Sequence, residues 1–150
     1  MARASRLPRT ASASPLAATE DDLGVMDFLE MFALSLTEGA TEAIALMWET
    51  PALVITDTHV VSIDQRDELF DLFAGAREHY NSAGVTDTRP EIVRLDEVTD
   101  TLAMVRVRWP WLDDEGTELG AECSTYVLRR STMGDWKIRC AVMHGCEALN

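Results

Sequence analysis

The chain has 150 residues, enough for one domain with a buried core and short for two. Apolar types make up 47% of it, yet no apolar run approaches the ~20 residues of a membrane-spanning helix. The net charge is −13, and Arg3, Arg6 and Arg9 are the only charges in residues 1–19, so the remainder carries −16 and would repel a phosphate backbone, which argues against nucleic acid as a partner.

Residues 1–19, MARASRLPRTASASPLAAT, are rich in Ala, Ser and Arg and contain no acid. Two readings fit: an organelle transit peptide, or a tail with too little apolar surface to order itself, and the second is adopted. Order is expected from Thr19, where Thr19-Glu20-Asp21-Asp22 sets a capping hydroxyl just ahead of acids that suit a helix N-terminus. Val25, Leu29, Phe32 and Leu36 recur at helical spacing with Met26 and Ala33 beside them, and Gly39 ends this helix. A second, shorter helix carries Ile44, Met47 and Trp48 on one face and has to stop before Pro51.

Two short strands are predicted at 52–56 and 59–63, joined at Asp57-Thr58. A third helix, capped by Asp64, presents Leu69, Leu72, Phe73, Ala76 and Tyr80 as one buried stripe. Residues 81–90 read as a loop, and strands follow at 91–98, 102–111, 118–130 and 136–144. The domain therefore spans 20–146 between tails at 1–19 and 147–150. Its class is α+β: a cone-shaped, curved antiparallel sheet wrapped around three N-terminal helices, with a pocket inside.

Two stretches carry a resemblance to a known family. FLEMFALSLTEGATEAIALMWETPALVI and DTLAMVRVRWPWLDDEGTELGAECSTYVLRRSTMGDWKI resemble the nuclear transport factor 2-like superfamily, a cystatin-like α+β roll. That superfamily includes ketosteroid isomerases, SnoaL-type polyketide cyclases and the association domain of calmodulin-dependent kinases. The resemblance covers about residues 20–145 and implies fold far more sharply than activity.

For the isomerases it implies a carboxylate general base near Asp57, where a dry pocket would raise the pKa into a working range. Aligned strictly, Thr56 takes that place, and one residue along a strand reverses the side chain. Asp57 next to Thr58 also fits a plain turn. The isomerase oxyanion hole calls for a tyrosine on the first helix and a late acid; here the helix has Phe28 and Phe32, and the late position falls on Thr125 or Tyr126. Tyr126 is thus either an oxyanion donor or a core aromatic. For the kinase association domain the resemblance places a pocket arginine at Arg106, able to select carboxylate ligands, with the other two arginine positions occupied by Thr125 and Met143. Alternatively, Arg106 and Arg108 lie outside and pair with Glu91, Glu118 or Glu122. Trp48, Met104 and Met143 are read as pocket walls. His144 ends the last strand near the expected mouth, where an imidazole can act as acid or base.

The catalytic candidates are therefore Asp57, Tyr126 and His144, and the ligand-binding candidates are Arg106, Thr125, Met104, Trp48 and Met143. His59, His79 and His144 lack metal-site spacing, and no phosphate loop is visible, so neither metal nor cofactor is expected. Of Cys123, Cys140 and Cys146, the two in predicted strands, Cys123 and Cys140, read as small buried hydrophobes in a reducing cytosol, with a Cys140–Cys146 or Cys123–Cys140 bridge as the alternative. Trp109, Trp111 and Leu112 are too much apolar surface to leave wet near an edge, which suggests a homodimer contact. Three functions stay open: a dimeric module binding a small organic ligand, a cyclase, isomerase or dehydratase, and an oligomerisation domain with a vestigial pocket.

Overall fold

The computed structural model describes residues 20–146; the tails expected at 1–19 and 147–150, and the cap expected at Thr19, lie outside the described residues. Helix α1 (Glu20–Glu38) buries Val25, Leu29, Phe32, Ala33 and Leu36, the stripe its spacing predicts. Gly39 ends it in the left-handed region at φ 70°, and Ala40 N–H returns to the Ser35 carbonyl at 2.9 Å. A side chain at residue 39 would also be obstructed, because its Cβ would lie 2.8 Å from Arg77 Cβ.

Helix α2 (Thr41–Leu46) is shorter than its periodicity suggests. Trp48 already belongs to strand β1 (Trp48–Ile55), because the Met47 carbonyl accepts the Ile138 N–H at 2.8 Å and pulls the chain onto the sheet. Strand β2 (Val60–Ile63) pairs back on β1 as the expected hairpin. The predicted third helix is two: α3 (Arg66–Phe73) and α4 (Ala76–Ser82), broken at Gly75 with φ 78°. The α3 cap is Gln65, not Asp64: Gln65 and Glu68 form a capping box, while Asp64 accepts the Ser62 hydroxyl at 2.9 Å. Leu72, expected in the buried stripe, is 48% exposed and lines the cavity described below.

Strands β3 (Asp87–Thr88), β4 (Glu91–Glu97), β5 (Leu102–Leu112), β6 (Glu118–Arg130) and β7 (Trp136–Met143) complete a curved, unclosed sheet in the order β2-β1-β7-β6-β5-β3, with β4 also paired to β5. Every pairing is antiparallel except β1 with β7, which is parallel. Strand alternation then separates two faces. Ala103, Val105, Val107 and Trp109 of β5 are buried inward among the helices, as are Leu128 and Ile138 of its neighbours.

Two expectations are corrected here. Trp109 and Leu112 are 2% and 8% exposed, and Trp111 packs against the core, so they form no wet patch; the curl of β5 points both indoles toward the helices. The cysteines are not all free, and neither bridge weighed from the sequence occurs. Cys123 is bonded to Cys146 and Cys140 is free. The reason is the path after β7: His144 and Gly145 both direct their N–H groups at the Cys123 carbonyl, 3.3 and 3.1 Å away, which lays the last described residues along β6.

Candidate functional site

Between the helices and the inner face of the sheet lies a cavity of about 400 Å³. Its sheet wall follows from period-two alternation: β6 turns Glu122, Ser124 and Tyr126 inward, and β5 turns Trp109 and Trp111. Phe32 on α1 forms the opposite wall, and the α3–α4 break brings Gly75, His79 and Tyr80 over the remaining side. The Phe32 ring meets Phe73, Trp109 and Tyr126 edge to face at 6.4, 5.9 and 6.2 Å, the arrangement favoured by aromatic quadrupoles.

Polarity is concentrated at two depths. At the buried inner end, Trp109 Nε1–H donates to Tyr126 Oη at 3.0 Å, and Ser124 lies within side-chain hydrogen-bonding reach of the same phenol. The Tyr126 oxygen is thus an acceptor whose own proton is available to another group. Burial raises its pKa strongly, more than these hydrogen bonds lower it, so the phenol stays a neutral donor. Trp48, on the β1 side, has its indole N–H buried with no partner among the described residues. At the rim stand Glu122, His79 and Tyr80. The Glu122 side chain keeps contact with water, but the cavity wall partly desolvates its carboxyl and raises its pKa, while His79 opposes that rise. Tyr80, tilted against Trp111 at 4.9 Å, is pushed up to about 12, first by burial and then by the charge of Glu122.

Of the residues singled out from the sequence, Tyr126, Trp48 and Met143 line this cavity. The other five do not. Asp57 is exposed in the β1–β2 turn, where Thr56 Oγ1 accepts the N–H groups of Thr58 and His59 at 3.3 and 3.0 Å. Arg106, Met104 and Thr125 are on the outer face, since β5 buries its odd residues and β6 its even ones; Arg106 and Thr125 are register partners there. His144 shares a 2.8 Å hydrogen bond with Thr125 on that outer side, away from the mouth. Arg108 is also outside, ion-paired with Glu91 at 3.2 Å and with Glu118. Glu122 is therefore a cavity residue and not an outer partner of the arginines. Its spacing of four from Tyr126 already put the two on one strand face. His79 was hidden because the helix break that aims α4 has no periodic signature. Among the described residues no group of His, Cys, Asp and Glu is arranged to hold a metal ion, and no helix is long and apolar enough to cross a membrane.

A curved sheet closed on one side by helices around a hollow is the NTF2-like architecture. The chain belongs to the family described as NTF2-like protein (DUF6841), whose model matches residues 20–146. No curated protein matches the sequence. Among solved structures it is similar to a domain of unknown function with a cystatin-like fold from Nostoc punctiforme, with 18% identity, TM-score 0.64, and coverage of 87% of this chain and 80% of that one. It is also similar to a ketosteroid isomerase-like protein from Erwinia carotovora atroseptica, with 16% identity, TM-score 0.61, and coverage of 85% and 98%. A putative scytalone dehydratase from Novosphingobium aromaticivorans matches with 14% identity, TM-score 0.62, and 84% of each chain covered. At these identities the likeness is one of fold.

Proposed function

We propose that this NTF2-like domain binds a small, largely apolar organic molecule in its inner cavity and does so as a homodimer. One observation carries the reading: an aromatic-walled space of about 400 Å³, within the range of small-molecule sites, with a buried donor group at its inner end. An open cavity also weighs against the reading as an oligomerisation domain with a vestigial pocket. Three of the four tryptophans line the space, so their emission reports occupancy. Titration with a naphthol is expected to quench it saturably, and Ala74→Trp, which plugs the exposed rim, is expected to weaken the quench roughly tenfold. A linear, non-saturating response in the wild type would remove the reading.

A second reading, an acid–base enzyme of the isomerase or dehydratase kind, is supported by Glu122 sharing the cavity with the Tyr126 hydroxyl and His79. On that reading Glu122 moves protons and Tyr126 stabilises developing negative charge. The isomerase-like and dehydratase-like neighbours lend it the fold and nothing finer. The Cys123–Cys146 bridge fits a compartment that keeps thiols oxidised better than the cytoplasm expected from the sequence.

A further inference from the structure

We infer that the cavity selects a hydrophobic amine in its protonated form, with Glu122 as the counter-ion at the rim and the aromatic walls holding the apolar body. The inference rests on the ligand-binding reading and names the chemical class of the ligand. Four observations support it. The only carboxylate lining the cavity among the described residues is Glu122, and no arginine or lysine lines it. Arg106, the one cation that would have favoured an acid, is on the opposite face of the sheet. The walls present aromatic rings from Phe32, Trp48, Phe73, Tyr80, Trp109 and Trp111, whose negative faces attract an ammonium through the ring quadrupole. Beyond residue 19 the chain carries −16, so its field enriches cations at the mouth and depletes anions.

The depth gradient orients the ligand. Glu122 is at the water-facing rim and stands directly opposite Trp109 across the β5–β6 ladder, so an ammonium held there is also close to an indole. The apolar body then extends inward past Phe32, and an acceptor at its far end meets Tyr126 and Ser124, which offer hydroxyls and no charge. The ionisable groups that face Glu122 are His79 and Tyr80 from α4 and Tyr126 from its own strand. None of them is a fixed cation that would occupy the carboxylate permanently.

The test uses the full chain and three probes of one shape: phenylbutylamine, phenylbutanol and phenylbutyrate, titrated at slightly alkaline pH by tryptophan emission and calorimetry. The amine is expected to bind roughly tenfold tighter than the alcohol, with the carboxylate weakest. Glu122→Gln is expected to bring the amine to within about twofold of the alcohol measured on the same variant, and Glu122→Ala is a second variant at the same exposed rim. Glu91→Gln, on the outer face, is expected to change neither. Equal binding of amine and alcohol by the wild type overturns the inference and leaves the cavity reading intact. A preference that survives both Glu122 variants assigns it to the general acidity of the domain and also overturns the inference. Binding of none of the three probes overturns the cavity reading and the amine inference with it.

Discussion

Tyr126 and Tyr80 are the only tyrosines in the chain, and both face the cavity. Tyr126 gains its neutrality from burial and loses little of it to the 3.0 Å hydrogen bond from Trp109; Tyr80 is displaced from the usual 10 to about 12. A phenol whose folded pKa lies above its unfolded value adds stability that is present below pH 10 and is lost as the pH rises toward the folded value. Phenolate absorbance is therefore expected to be nearly absent in the native protein at about pH 10.5, where an unfolded chain is largely ionised. It is expected to appear only at higher pH, together with loss of near-ultraviolet circular dichroism. A full two-tyrosine phenolate band at that pH, with the fold intact, would contradict the placement of both rings. Burial is the first cause of the raised pKa of Glu122 as well, but it acts there on a group that is charged at neutral pH.

Two elements owe their positions to contacts that skip along the sequence. The α3–α4 break at Gly75 lets α3 pack Leu69 into the core while α4 carries Tyr80 onto Trp111, which one straight helix would not achieve. After β7, the Cys123–Cys146 bridge holds the last described turn against β6 and closes a loop with a sequence separation of 23. Loop-closure entropy for that length corresponds to about 3 kcal/mol. Cys146→Ser is expected to lower the unfolding free energy by about that amount, seen as a lower denaturant midpoint, under oxidising conditions and to match the wild type once a reductant is present. An unchanged midpoint without reductant would mean that the bridge contributes no constraint.

At the scale of the whole molecule, the sheet divides the chain's chemistry. Its inner face is aromatic and almost without charge; its outer face mixes ion pairs such as Arg139–Glu49, 3.0 Å, with the exposed side chains of Leu53 and Met104. A shallow outer groove bordered by Leu53, Leu102, Val127 and Arg139 runs between them. The proposed homodimer is expected to use this surface as its contact, because the tryptophans first read as the contact are inside. Sedimentation at micromolar concentration is expected to give a dimer, and the double substitution Leu53→Glu with Met104→Glu is expected to give a monomer with unchanged circular dichroism. A wild-type monomer at that concentration would remove the dimer from the proposal.

By itself the sequence determined the α+β class, the family resemblance and nearly every strand of the meander, because alternation over 102–111 and 118–130 and the Val25–Leu36 stripe are local patterns with one physical reading. Of the residues it singled out, Tyr126, Trp48 and Met143 line the cavity. Only the tertiary structure decided which face of the sheet became the inside. That choice put Glu122 in the cavity and Arg106, Thr125, Met104 and His144 outside it, since a strand's parity is fixed by what it packs against. The parallel β1–β7 pairing, the early end of α2 and the Cys123–Cys146 bridge were likewise beyond local reading: each joins residues far apart in the chain, and proximity of that kind is a property of the closed fold.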